Sequence, residues 1–371
     1  MFIKKSSLEN LSLYKYSGVD LSLCANYILS PYFWEPLLKY VIPPTIAPNV
    51  ITLIGGIFMF LAHFLFFFDS PTGQEDVSTF TVVMSGLLMF LYQTADNLDG
   101  KQARRTKNGS PLGELFDHGV DTFMMGIFAL IIVTIFKFET RIQLILLIQL
   151  LAVFYMSHWE EYHTNTLILG YVFNPTELQL LTIFGLDIYV LYPQIINVSI
   201  FSITVKSYAM VCIILFCFIA VVFYVQSTVS HIHSTNQCSF ISALYNGTPY
   251  AIFYVCACIN VLLFPKHFLV EHFHLIVLLL IFLNAYVTQR LIVHRILKEP
   301  VQQYHTLLFL FVVFTINTIL YALGLPSVIF NFSTFTMLLF AIAIDSTLII
   351  EVIISFSTFL GIHVFRINVK E

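Results

Sequence analysis

Charge is scarce in this chain. Only 10% of its 371 residues are Asp, Glu, Lys or Arg, against roughly 25% in an ordinary soluble domain. No polar stretch is long enough to build a separate water-soluble domain. The formal net charge is −4, too small to imply a polyanionic partner such as nucleic acid. Cysteine occurs six times. Cys24, Cys212, Cys217, Cys238, Cys256 and Cys258 lack the paired spacing of a zinc site, and most lie inside apolar runs. They read as small packing residues rather than metal ligands or disulfides. Neither a Walker A nor a Rossmann glycine pattern occurs. The internal repeat of many transporters is also missing. The first residues carry lysines but no long apolar core, so no cleaved signal peptide is expected.

What remains is apolar. Hydrophobic residues make up 58% of the chain, and the mean hydropathy is +0.87. Runs able to cross a bilayer, about 20 residues each, recur along the length. The expected fold is an all-α polytopic membrane protein with about ten transmembrane helices and an N-terminal interfacial helix. The expected spans are Asn49–Phe68, Thr79–Tyr92, Leu112–Phe136, Ile142–His158, Glu177–Leu191, Tyr208–Val225, Pro249–Phe264, Phe273–Val287, Tyr304–Leu323 and Phe335–Phe356. With a cytosolic N-terminus, thirteen of the 17 basic residues face the cytosol and four the other side, as the positive-inside rule requires. The sequence divides into an interfacial segment (1–48), a bundle of helices 1–5 (49–195) and a C-terminal set of helices 6–10 (196–371) available for a homodimer contact. Asn197-Val-Ser and Asn331-Phe-Ser fall on the predicted lumenal side as glycosylation candidates.

The polar residues concentrate between Tyr92 and Phe123. Asp96 and Asp99 are i and i+3 at the end of the second span. Asp117 and Asp121 are i and i+4 near the start of the third. Each pair shares a helical face. In an antiparallel hairpin the four carboxylates converge at the cytosolic boundary. Such a set is costly in a membrane, each acid by about 2.5–3.5 kcal/mol at mid-bilayer on an insertion scale. Hard divalent cations relieve the repulsion and prefer oxygen ligands. Paired metals are a common device for phosphoryl displacement. Asp96 or Asp99 alone also reads as a helix cap or loop charge. Gly100 and Ala103 lack bulk, so a nucleotide can approach the backbone. Arg104 and Arg105 match phosphate oxygens, though one of them equally reads as a topology marker. Gly113 leaves room one turn before Asp117.

The string Asp96-x2-Asp99-Gly100-x2-Ala103-Arg104-x8-Gly113-x3-Asp117-x3-Asp121 resembles the signature of the CDP-alcohol phosphatidyltransferases at every position. The flanks YQTADNLDGKQARRT and SPLGELFDHGVD resemble the eukaryotic choline and ethanolamine phosphotransferases. So do Ala47–Thr52 and Trp159–Glu177. The likeness covers about residues 21–177. It implies transfer of phosphoethanolamine or phosphocholine from CDP-ethanolamine or CDP-choline to diacylglycerol, with CMP released, at an endoplasmic-reticulum membrane. By that resemblance Asp96, Asp99, Asp117 and Asp121 hold Mg²⁺ or Mn²⁺, with two ions expected. Gly100, Ala103, Arg104, Gly113 and Asn49 line the CDP site. His118 or Asp121 is the base, because an unligated imidazole titrates near neutrality. Glu177 orients His118, meets the cationic head group or caps the fifth span. Trp159, Glu160, Glu161 and Tyr162 are further candidates for the cationic head. The competing class is a metal- or proton-coupled transporter, kept open by Asp345 and Glu351 in the last span. A catalytically silent scaffold is the third reading.

Overall fold

The computed structural model describes residues 2–171, 174–235, 238–324 and 327–368, without the side chains of 327–331. The side chain of Asn331, a glycosylation candidate above, and all of Lys370, one of the thirteen basic residues assigned to the cytosol, therefore lie outside the described residues and side chains. Thirteen α-helices run through the described residues. Short α1 (Glu35–Tyr40) precedes α2 (Pro48–Asp69), α3 (Thr79–Thr106), α4 (Pro111–Ile135), α5 (Thr140–Thr164), α6 (Pro175–Leu191) and α7 (Val205–Thr235). Then come α8 (Phe240–Asn246), α9 (Thr248–Leu263), α10 (Lys266–Glu271), α11 (Phe273–Ile296), α12 (Thr306–Ala322) and α13 (Ser327–Leu360). Each expected span falls on one of these helices. Six of them (α2, α4, α5, α7, α11 and α13) are long and apolar enough to cross a membrane. The pair α8–α9, bent by 53°, makes a seventh if it counts as one span. Helix α12 is apolar but has only 17 residues, about 26 Å at 1.5 Å per residue. Helix α3 carries the charged motif in its last turns.

The helix ends are written in the sequence. Ser78 and Ser110 cap α3 and α4 by accepting from the amides of Thr81 and Gly113 at 3.3 and 3.0 Å. Pro111 occupies the first turn of α4, where its missing N–H costs nothing. Lys107 closes α3 in the left-handed region, φ 56°, a frequent helix stop. The connection from Lys107 to Ser110 is too short for anything but an antiparallel hairpin, and this turns the two aspartate pairs toward each other. Helix α2 packs along α3 because Gly55 removes the obstacle. A Cβ there would lie 2.9 Å from the Ala95 Cβ. Gly126 does the same for α4 against Ile281 of α11. Helix α11 is the most enclosed span, whereas α7 presents Phe218, Ile219 and Val222 outward.

The N-terminal segment is more than an interfacial helix. Its helical stretch Ala25–Trp34 leads into α1, with Trp34 fully buried. Upstream, residues 2–20 cross the motif end of the bundle as a strap. The Phe2 and Ile3 amides donate to Glu351 of α13 at 2.5 and 2.9 Å, Ser7 to Glu299 and Tyr14 to Glu114. Strand β1 (Gly18–Asp20) pairs in parallel with β2 (Leu167–Leu169), just after α5.

Candidate active site

The four aspartates meet where α3 and α4 face each other under the strap. Asp96, Asp117 and Asp121 each place a carboxylate oxygen within 4.8 Å of the others. Asp99 lines the same cavity and is 4% exposed. One of its oxygens accepts the Thr52 hydroxyl from α2. Tyr92 donates to Asp121 at 2.5 Å. One Asp117 oxygen is buried without a hydrogen-bond partner, an expensive condition that a bound cation relieves. An all-carboxylate set of this density fits Mg²⁺ or Mn²⁺.

The cavity holds about 350 Å³ and has a mixed lining. Its polar lining includes the aspartates, Asn97, Gly100 and Arg104. Its apolar lining includes Met125 and Phe128, which follow Asp121 along α4, Leu150, Val153 and Phe154 of α5, and Phe216 of α7. The strap contributes Tyr16, Gly18, Val19 and Asp20. Residues outside 49–195 thus help to build the site.

The two motif arginines part company. Arg104 lines the cavity over Gly100, its Nη1 3.6 Å from where a glycine-replacing Cβ would be. Arg105 turns away and donates to the carbonyls of Leu38 and Ile42, the latter at 2.7 Å, pinning the end of α1 to α3. Asn49, Ala103 and Gly113 are not among the cavity-lining residues. Asn49 donates to the Val364 carbonyl at 3.0 Å, and its Oδ1 lies 3.7 Å from the Cβ position of Gly113. That pair seals α2, α4 and the segment after α13 beside the cavity.

His118 is 7% exposed, lines the cavity and has an unpartnered Nδ1. The expectation that Glu177 orients it does not match the geometry. Glu177 accepts from the Ser22 hydroxyl at 2.7 Å and the Cys24 amide at 3.1 Å, so it moors the N-terminal segment. The ring beside His118 belongs to His158, with centroids 5.1 Å apart. His158 Nδ1 is 2.9 Å from Glu161. Trp159 donates to the Ala243 carbonyl at 3.2 Å and Tyr162 to that of Glu299 at 2.9 Å. Both bonds are structural, and neither residue lines the cavity.

Tyr16 was invisible to sequence reasoning, because it lies in an irregular stretch just before a three-residue strand, and neither carries a periodic signal. The residue is 59% exposed at the cavity mouth, and its ring folds back over Gly18, where a Cβ would lie 2.5 Å from its hydroxyl. The surrounding protein, then the charges of Asp117 and Glu161, raise its pKa above the ordinary phenol value. It stays a hydrogen-bond donor at neutral pH.

Comparison with known proteins bears on the same residues. The profile of the family described as CDP-alcohol phosphatidyltransferase matches residues 45–219. A Dictyostelium discoideum protein named uncharacterized CDP-alcohol phosphatidyltransferase class-I family protein 2 is 32% identical over 327 residues, 86% of this chain and 76% of that one. Class-I family protein 3 of the same organism is 47% identical over 177 residues, 47% of this chain and 44% of its own length. Choline/ethanolaminephosphotransferase 1 of Arabidopsis thaliana is 42% identical over 176 residues, 47% of this chain and 44% of that one. Outside the 327-residue match, the chain thus spans under half the length of these relatives.

Proposed function

The chain belongs to the CDP-alcohol phosphatidyltransferase family, and from that premise we propose that it transfers phosphoethanolamine or phosphocholine from the CDP-alcohol to diacylglycerol, releasing CMP. The observation that carries this reading is the mixed lining of one cavity. A diphosphate needs carboxylates with their cations and Arg104, while an acyl glycerol needs apolar side chains such as Met125, Phe128 and Phe154. One cavity that offers both suits a water-soluble donor and a membrane-dissolved acceptor.

Asp96, Asp99, Asp117 and Asp121 would hold the divalent ions, which when bound neutralise phosphate charge and favour in-line displacement. Arg104 presents its planar donors to the diphosphate, and Gly100 leaves the backbone approachable. The acceptor hydroxyl attacks the phosphorus that carries the amino alcohol, and the P–O bond to CMP breaks. His118 takes the hydroxyl proton. Asp121, the alternative base, already accepts from Tyr92 on one oxygen, which favours His118. In this reading the ten expected spans all cross the bilayer, the shorter helices included, and the cavity faces the cytosol. That orientation follows the basic residues around it, and an endoplasmic-reticulum location follows the resemblance. The transport reading is the weaker one. Glu351 accepts the strap amides, and Asp345, though buried with neither carboxylate oxygen hydrogen-bonded, is not among the cavity-lining residues.

The test is turnover by purified protein supplied with labelled CDP-ethanolamine or CDP-choline, diacylglycerol and Mg²⁺. Labelled phospholipid and equimolar CMP are expected. Neither product forming from either donor, with folded protein, would sink the proposal.

A further inference from the structure

Two metal-ligand clusters lie side by side, and they differ in chemistry. The first is all carboxylate. The second is His118, His158 and Glu161, each with one ligand atom within 4.8 Å of the other two. His118 is 7% exposed, His158 3% and Glu161 2%. His118 comes from α4. His158 and Glu161 are i and i+3 on α5, so one helical turn aims both the same way. Asp117 and His118 are adjacent on α4, about 100° apart around the helix. Neighbouring side chains therefore serve different clusters.

Hydrogen bonding within the chain leaves part of this cluster unused. His118 Nδ1 is buried and unpartnered. Glu161 gives Oε1 to Arg295 at 3.3 Å, and its Oε2 faces His158 Nδ1 at 2.9 Å. Arg295, which Glu161 shares with Glu114, stands beside the carboxylate without covering the oxygen that faces the histidines. Two imidazoles and one carboxylate are a donor set suited to Zn²⁺ and poorly suited to Mg²⁺. Zinc bonds of about 2.0–2.2 Å put tetrahedral ligand atoms roughly 3.3 Å apart, which small rotations here can reach. His118 and His158 both line the cavity, so a fourth position opens toward the place where substrate would lie.

We propose that His118, His158 and Glu161 form a site for a divalent transition metal such as Zn²⁺, separate from the carboxylate cluster, and that filling it switches the enzyme off. The inhibitory half rests on the reading of His118 as base. A ring nitrogen whose lone pair is given to a metal cannot accept the hydroxyl proton.

The experiment measures binding and turnover separately. Purified protein is held in excess Mg²⁺ to occupy the carboxylates, then titrated with Zn²⁺ against a chromophoric chelator. Retained zinc is counted after gel filtration, and zinc-edge absorption reads the ligands. One equivalent is expected, with imidazole in the coordination shell. His158→Gln and Glu161→Gln should each weaken it at least tenfold, since even groups that only support a ligand cost about 10–100-fold. Asp99→Asn should keep it. Thermal melting of each variant identifies any that fails to fold, and two independent substitutions keep the result readable. Zinc held equally by wild type and both variants, or by none, overturns the site. Turnover is then read as the ratio with and without Zn²⁺. Wild type should be inhibited, and the variants should need at least tenfold more zinc. One bound equivalent with turnover unchanged overturns the inhibitory role and counts against His118 as base. Zinc binding stays measurable if phosphotransfer itself fails, so the two ideas fall separately.

Discussion

Thr52 donates its hydroxyl to Asp99, which fixes one carboxylate oxygen and leaves the other for the cavity. Asp99→Ala should therefore remove charge compensation without opening a core void. We expect product formation to drop at least about 100-fold with the melting temperature nearly unchanged, and wild-type turnover at saturating Mg²⁺ would refute the metal role. For His118→Ala the expectation is a maximal rate lower by about 10²–10⁴-fold, with CDP-alcohol affinity, measured by direct binding, little altered. Recovery of that rate with extra Mg²⁺ would move the base elsewhere. Tyr16→Phe tests the strap. If its hydroxyl meets the substrate's phosphates, KM for the CDP-alcohol should rise about tenfold, the value of one hydrogen bond to a charged group, while kcat moves less. An unchanged KM would leave Tyr16 as a cover only. The residues legible in the sequence were those whose spacing on one helix fixes their direction, namely the aspartates and His118. What spacing could not give was the partner across a helix interface. Arg104 and Arg105 look alike until α1 takes one of them, and Glu177 is claimed by a residue 155 positions upstream.

The α3–α4 hairpin was readable because caps, a proline and a short polar turn all agree on it. Helices α6, α9 and α11 were harder. Apolar runs as short as the 16–17 residues of α6 and α9 suit a short span and a buried core helix equally well, and α11 extends to 24 residues where a shorter span was expected. The β1–β2 pair left no trace, since three-residue strands show no alternation. The close crossing of α2 and α3 can be tested directly. Gly55→Ala places a methyl 2.9 Å from the Ala95 Cβ and should cost about 1–3 kcal/mol by overpacking. Ala95→Gly in the same chain should recover most of that loss, read as melting temperature in detergent. Additive losses would mean that the two positions are not coupled and that the crossing is looser than described.

Across the whole molecule, the ten crossings proposed above would require the connections to alternate between faces. In a cysteine-free background, Tyr304→Cys should react with an impermeant maleimide from the cytosolic side of sealed vesicles. Gln74→Cys and Asn197→Cys should react only after the membrane is opened. Gln74 labelling together with Tyr304 in intact vesicles would overturn the ten-span arrangement. The strap carries a different kind of consequence. Phe2 bonds a carboxylate 349 positions later, and β1 waits for β2 across nearly 150 residues. Contacts that distant in sequence form late. During synthesis the aspartate hairpin is in the membrane long before α13 exists to anchor its cover. The cavity is therefore unroofed until β2 follows α5, and the far end of its cover is tied down only when α13 is made. Donor binding should thus become possible only after α5 and β2 have been synthesised, a timing set by topology and not by the strength of any contact at the site.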